Sequence, residues 1–128
     1  MVTQITSNIK ISVITNYEGI YYKEQQMLYA FSYQITIENL SSDVVQLQAR
    51  HWDIFDTLNN VETVEGEGVV GVQPLIMPGK HYQYVSGCHL KSELGKMQGY
   101  YTMENIETKD LINVNIPAFK MAAPVKLN

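Results

Sequence analysis

Alternation of apolar and polar side chains between Tyr29 and Glu38, strict from Phe31 onward, is the feature that most limits what this chain can fold into. Odd positions from Tyr29 to Ile37 are aromatic or β-branched, whereas even positions from Ser32 to Glu38 are polar. A period of two residues predicts a strand with one buried and one wet face. The same alternation recurs in four other segments: Ile9–Val13, Tyr82–Tyr84, Met97–Met103 and Ile112–Ile116.

No stretch of ten or more residues has an apolar face with helical spacing, and the best helix candidate, His89–Met97, offers one turn at most because Gly95 interrupts it. Turn-forming residues separate the strands instead. They lie at Asn39–Asp43, Asn59–Asn60, Pro78–Gly79 and Ser86–Gly87. Since parallel neighbours need crossover connections of about a dozen residues or more, the pattern predicts an all-β, antiparallel β-sandwich of seven or eight strands.

The apolar phase switches within Val44–Asp56. It runs through odd positions from Val45 to Ala49 and then through Trp52 and Ile54. A change of one residue moves every side chain to the other face, so we expect a bulge or sharp twist near Arg50 and His51.

Chain length and net charge further restrict the number of domains and the kinds of binding partner. With 128 residues, the chain has the size of one domain, which we place at 1–128 with a core at about 8–124 and a surface tail from Met121 to Asn128. The net charge is −4, and no cluster of four or more basic residues occurs, so nucleic-acid binding is not expected.

The single cysteine, Cys88, cannot form an intrachain disulfide, and the first residues do not resemble a signal peptide. A cytoplasmic location is therefore expected. No apolar run approaches the roughly 18 residues that a membrane span requires, so no membrane segment is expected.

Gly66, Gly68 and Gly71 match the spacing of a dinucleotide-binding fingerprint. That fingerprint requires a helix, whose N-terminus meets the pyrophosphate, but Pro74 and Pro78 follow too closely. A tight crossing between strands is favoured, and a non-helical phosphate-binding loop stays the alternative.

Metal binding and nucleophilic catalysis have weaker signals. His51 and Asp53 share a strand face, and Cys88 and His89 are adjacent, yet neither pair supplies the three or four ligands that a metal site needs. Ser86 and Cys88 are candidate nucleophiles without a local catalytic signature. We therefore predict no enzyme activity, no metal site and no cofactor.

Aromatic residues give the best signal for binding. The chain has nine tyrosines, three phenylalanines and one tryptophan, and Tyr21, Tyr22 and Tyr100 fall outside the core phase. If their strands are neighbours, Arg50, Trp52 and Tyr100 form a partner-binding patch. In the alternative, Trp52 belongs to the core and Arg50 covers it.

Read in order, five motifs resemble the ApaG family, also called CorD, from about Asn8 to Pro124. These motifs are Arg50–Asp56, Val64–Gly79, Tyr82–Gly87, Gly95–Met103 and Ile116–Phe119. The resemblance implies an immunoglobulin-like or fibronectin type III-like sandwich. It also implies a link to cobalt and magnesium tolerance and to dinucleoside polyphosphate metabolism, since bacterial members are encoded beside a diadenosine tetraphosphatase.

Related eukaryotic domains are attached to an F-box protein and a polymerase-interacting protein, which implies protein binding, and the family offers no catalytic residues to transfer. The sequence departs from the family pattern at Asp56–Asn60 and at Cys88–His89, both in turns. We expect a non-catalytic module for an unidentified protein partner, with a homodimer through sheet edges as a further possibility. The alternative is a sensor of nucleotide or pyrophosphate, linked to a divalent cation, that uses Gly66–Gly71.

Overall fold

The computed structural model describes residues 1–124, which form nine β-strands and no helix. The strands are β1 (Val2–Thr6), β2 (Ile9–Lys23), β3 (Gln26–Asn39), β4 (Val45–Asp56), β5 (Glu62–Glu67), β6 (Leu75–Ile76), β7 (His81–Leu90), β8 (Leu94–Asn105) and β9 (Leu111–Ala122). The all-β prediction is confirmed. The strand count exceeds seven or eight because β1 lacks a long apolar alternation and β6 has only two residues.

Two antiparallel sheets make up the sandwich. The first sheet has the order β1-β2-β3-β7, and the second has the order β5-β4-β8-β9 with β6 paired to β4. On one side of the molecule β1 and β2 pack against β9. On the other side β5 and β7 are edge strands, each hydrogen-bonded to one neighbour among the described residues.

The alternating side chains of the long strands meet between the sheets. The odd positions from Phe31 to Ile37 in β3 are buried, as the alternation predicts. Tyr33 packs against Trp52 and Phe119, with ring centroids 5.5 and 5.6 Å away, which joins the two sheets through aromatic contacts.

A bulge interrupts β4 between Leu47 and Ala49. The predicted register change is therefore present, but it lies slightly before Arg50. After the bulge, even positions face inward, so Trp52 is buried at 3% exposure while Arg50 lies on the same face. This agrees with the alternative in which Trp52 is a core residue.

The chain end differs from its sequence-based description. Met121 is buried and pairs with Gly95, so β9 continues into the segment that we expected to be a surface tail. Residues 125–128 of that predicted tail lie outside the described residues. In residues 1–124 there is no helix that could span a membrane.

Candidate functional site

A cleft of about 420 Å³ opens between the edge strands β5 and β7. Its floor consists of the core side chains Tyr33, Trp52 and Met97. One wall carries Glu62 and Val64 from β5, and the other carries inward-facing residues of β7. The cleft thus lies directly over the core where the two sheets separate, and its floor residues are themselves buried.

The free edge of β7 lacks the usual protection against pairing. The strand has ten residues, its register with β3 shows no shift, and it contains no Lys, Arg, Asp, Glu or Pro. Natural sheets protect their edges with bulges, prolines, charged residues or covering loops. Hence the exposed backbone of β7 is available to pair with another extended segment.

Inward side chains of β7 line the cleft with polar atoms. Tyr84 hydrogen-bonds Tyr101 of the opposite sheet, and Ser86 and Cys88 follow it on the same face. Burial raises the pKa of the Cys88 thiol to about 11, and the carboxylates of Glu62 and Asp56 add to this effect. Because a thiolate is the reactive form, Cys88 is poorly suited to act as a nucleophile near neutral pH.

Arg50 lies in the same cleft, where its guanidinium ties down the start of the loop after β5. Its Nη1 donates to the carbonyl oxygens of Glu67 and Gly68 at 3.0 and 2.8 Å. A Cβ on Gly66 would lie within 3 Å of the guanidinium, so a larger residue there would require Arg50 to shift away from these carbonyl groups. The observed role of Arg50 is therefore to hold this loop.

The loop from Gly66 to Gly71 forms a tight hairpin and leads to no helix. Val69 and Val72 exchange two backbone hydrogen bonds, and the N–H of Gly68 donates to the Gln48 carbonyl. Gly68 has a φ of 61°, and a Cβ there would clash with the Val72 carbonyl oxygen. Three N–H groups that could have faced a phosphate are therefore used within the protein.

Tyr100 lies on the other face of the second sheet. Its ring stacks on His51 with a centroid distance of 4.8 Å and an interplanar angle of 8°. Arg50 and Trp52 face the cleft, so the structure does not bring all three residues of the predicted partner-binding patch onto one face. It splits them because cross-strand partners share a face, and Tyr100 pairs with His51 while Arg50 pairs with Tyr101.

The two residue pairs that the sequence analysis weighed as metal ligands make other contacts. His51 contacts Glu65 and Asp53 at 2.8 and 3.3 Å, and the His89 ring stacks on Tyr21 with centroids 4.6 Å apart. No group of three or more His, Cys, Asp or Glu side chains in residues 1–124 is arranged to hold a metal ion.

Sequence reasoning missed the cleft and the importance of the β7 edge. A signal was present, since His81–Leu90 is the one long strand within residues 1–124 that lacks Lys, Arg, Asp, Glu and Pro. Strand order cannot be read from that composition alone, and only the edge position of β7 makes its lack of protection meaningful.

The comparisons with known proteins agree with this architecture over most of the chain. The ApaG domain family matches residues 20–105. Protein ApaG of Mesorhizobium japonicum is 42% identical over 124 residues, which cover 97% of this chain and 95% of that protein.

Two solved structures are similar as well. A Northeast Structural Genomics Consortium target has a TM-score of 0.86 and 38% identity, covering 94% of this chain and 90% of that one. A Bordetella pertussis protein assigned as ApaA has a TM-score of 0.79 and 36% identity, covering 92% and 95% of the two chains. Sequence and fold therefore lead to the same family.

Proposed function

This chain belongs to the ApaG family, and from that premise we propose that it is a non-catalytic protein-interaction module that binds an extended segment of a partner protein. The segment adds to the first sheet as a strand beside β7. Its backbone pairs with the free edge, and alternate side chains enter the cleft between β5 and β7. In this mode, the backbone supplies affinity and the side-chain pockets supply specificity.

The observation that carries the proposal is the unprotected edge of β7 next to an open cleft. Either feature alone has a simpler explanation, since sandwiches have edges and cores have grooves. Their combination offers both backbone hydrogen-bonding groups and a place for side chains along one line. A binding strand would also lie next to the cleft floor, which contains Trp52, the chain's single tryptophan.

The lining of the cleft indicates the chemistry of the segment. Tyr33, Trp52 and Met97 favour apolar side chains at alternate positions. Val70 adds apolar surface beside the cleft and is 64% exposed. Glu62 is the carboxylate in the lining, so acidic side chains are disfavoured near that end.

The nucleotide or pyrophosphate sensor has less support from the geometry of Gly66–Gly71. No helix N-terminus is present there, and the carboxylates of Glu65, just before the loop, and Glu67, within it, disfavour an anion. A titration with diadenosine tetraphosphate, with and without magnesium or cobalt, tests this alternative. Saturable amide shifts confined to Val64–Gly79 would favour it over the peptide-binding proposal.

The proposal is tested by selecting extended peptides from a random display library and mapping where they bind. We expect selected peptides to shift the amide resonances of Tyr82–Cys88 and to change the Trp52 emission. The Val85→Lys variant places a charge on the exposed outer face of the edge strand and should weaken peptide binding by about tenfold or more.

Ile14→Lys is the matched control. Ile14, Gln34 and Val85 lie in one cross-strand row, and Ile14 and Val85 are 42% and 59% exposed. The control adds the same charge two strands away from the edge and should leave peptide affinity unchanged.

Equal peptide affinity for the wild type and for Val85→Lys would overturn the proposal, as would selected peptides that leave the β7 amides unshifted. Sedimentation equilibrium of the wild type gives the third outcome. A dimer that Val85→Lys dissociates and Ile14→Lys preserves would identify a second copy of this chain as the occupant of the edge, and would replace the partner peptide in the proposal.

A further inference from the structure

A second apolar groove, of about 510 Å³, lies where β4 ends and β8 begins, outside the cleft between β5 and β7. Its main lining residues are Phe55, Val61, Leu94, Lys96, Ala118 and Lys120. Val61 and Leu94 are 56% and 40% exposed, so the groove presents apolar surface to solvent. Its volume falls within the range of about 300–1,000 Å³ that is typical of small-ligand pockets.

Two lysines face each other along this groove. Lys96 and Lys120 are direct cross-strand partners in β8 and β9, which places both side chains on one face of the sheet. Like charges in directly opposite positions repel each other. The Nζ of Lys96 lies 4.8 Å from the centre of the Phe55 ring, and neither lysine forms a salt bridge with a carboxylate of residues 1–124.

Asp56 is the carboxylate at this groove, and its oxygens are already engaged. They accept hydrogen bonds from the backbone N–H groups of Leu58, Lys91 and Ser92. Burial alone would raise the pKa of Asp56, but hydrogen bonding from the Ser92 side chain and from these backbone groups outweighs burial and lowers it. Asp56 therefore stays ionised while its lone pairs serve the neighbouring turns, and it does not pair with either lysine.

We propose that this groove binds a free single-chain carboxylate, such as a medium-chain fatty acid. The apolar chain lies against Phe55, Val61 and Leu94, and the carboxylate lies between the ammonium groups of Lys96 and Lys120. An anion at that position would turn a repulsive pair into two charge-assisted contacts. The charge of the lysine pair and the apolar lining both match an amphiphile with an anionic head.

The test is a calorimetric and amide-shift titration with decanoate below its micelle concentration. We expect saturable shifts at Phe55, Val61 and Leu94–Lys96. A series of octanoate, nonanoate and decanoate should tighten binding by about fourfold for each methylene that the groove buries. Decyltrimethylammonium has the same chain length with a cationic head and should not bind.

Two variants distinguish an effect of the lysine charges on decanoate binding from an effect on the stability of the fold. The double variant Lys96→Gln/Lys120→Gln should weaken decanoate binding at least tenfold and should leave the melting temperature nearly unchanged, because the loss of the Lys96 contact with the Phe55 ring offsets the removed repulsion. Lys109→Gln is the matched control, since Lys109 lies in the turn between β8 and β9, outside the groove lining. It should bind decanoate like the wild type.

Three results would overturn the proposal. The first is that millimolar decanoate leaves the amide resonances unshifted. The second is that decanoate and decyltrimethylammonium bind with equal affinity, and the third is that the double lysine variant binds decanoate as tightly as the wild type. A vesicle arm distinguishes the source of the anion. If the protein sediments with phosphatidylglycerol vesicles but does not bind monomeric decanoate, the lysine pair contacts a membrane surface. That result would overturn the free-ligand proposal.

Discussion

The phenol oxygens of Tyr84 and Tyr101 lie 2.5 Å apart and join the two sheets through a hydrogen bond. Tyr84 belongs to the edge strand β7, whereas Tyr101 lies at the centre of the second sheet and is fully buried. The contact holds β7 against the core from its inner face. It therefore fixes one wall of the cleft to which we assign peptide binding.

Removing one hydroxyl of this pair should destabilise the fold. Tyr84→Phe leaves the hydroxyl of the fully buried Tyr101 without its partner, which we expect to lower the free energy of unfolding by about 1–3 kcal/mol. The double variant Tyr84→Phe/Tyr101→Phe removes both groups and should cost less than the sum of the two single changes. Urea unfolding of all four proteins measures this coupling, and strict additivity would show that the hydrogen bond contributes nothing.

The protein should lose stability in alkaline solution. Burial raises the pKa values of Tyr33, Tyr84 and Tyr101 above the usual 10.0, and it raises that of the Cys88 thiol from 9.0 to about 11. A group whose pKa is higher in the folded state stabilises the fold fully below its unfolded pKa, and this contribution declines as the pH rises toward the folded pKa.

The decline should begin near pH 9 with Cys88 and steepen above pH 10 as the tyrosines contribute. Urea unfolding between pH 7 and pH 11 measures this loss of stability. The Cys88→Ala variant should lack the part of the loss that begins near pH 9. Tyrosine absorbance adds a second measurement, because the three buried phenols should ionise only at higher pH or on unfolding. A flat stability profile up to pH 11 would contradict the prediction.

Two glycines of the hairpin after β5 should respond differently to alanine. Gly68→Ala adds a Cβ where the Val72 carbonyl oxygen lies, whereas a Cβ at Gly71 has open space around it. Both residues have positive φ angles of 61° and 78°, so both changes carry a backbone cost of about 1 kcal/mol. We expect Gly68→Ala to lower the melting temperature clearly more than Gly71→Ala does, and equal effects would show that the hairpin rearranges without cost.

A comparison of strand β3 with this hairpin shows which structural features the sequence predicts and which it does not. Alternation from Tyr29 to Glu38 predicts a strand because side chains on a pleat alternate, and every inward position from Phe31 to Ile37 is indeed buried. Spacing alone makes Gly66, Gly68 and Gly71 resemble a nucleotide fingerprint. In the structure, Gly66 lies against the Arg50 guanidinium and Gly68 against the Val72 carbonyl, which are contacts between separate parts of the chain, whereas Gly71 has open space and a φ of 78°.

The predicted patch of Arg50, Trp52 and Tyr100 also depends on contacts between separate strands, which the sequence alone does not predict. A one-residue bulge decides which face Arg50 and Trp52 occupy, and strand pairing decides that Tyr100 meets His51 on the other face. The sequence indicates that a bulge exists, because the apolar phase switches. It does not indicate which strands lie side by side, and a binding surface made by several strands depends on that order.

Arg50 should be required for the order of the hairpin more than for the core. Arg50→Met keeps an unbranched apolar stem over the cleft floor but removes both donors to the carbonyl oxygens of Glu67 and Gly68. Amide hydrogen exchange of Gly68–Val72 should then accelerate by about tenfold, in line with the loss of roughly 1.5 kcal/mol of charge-assisted hydrogen bonding. Exchange of the buried β3 amides should change much less.

Arg50→Lys provides the matched control for charge. Lysine keeps the positive charge, but its ammonium lies one bond closer to the backbone than the Arg50 Nη1 atom that donates to both carbonyl groups. We therefore expect Arg50→Lys to resemble Arg50→Met in hairpin exchange. If Arg50→Lys instead exchanges like the wild type, the charge of Arg50 holds the hairpin, and the geometry of its two hydrogen bonds is not what orders the loop.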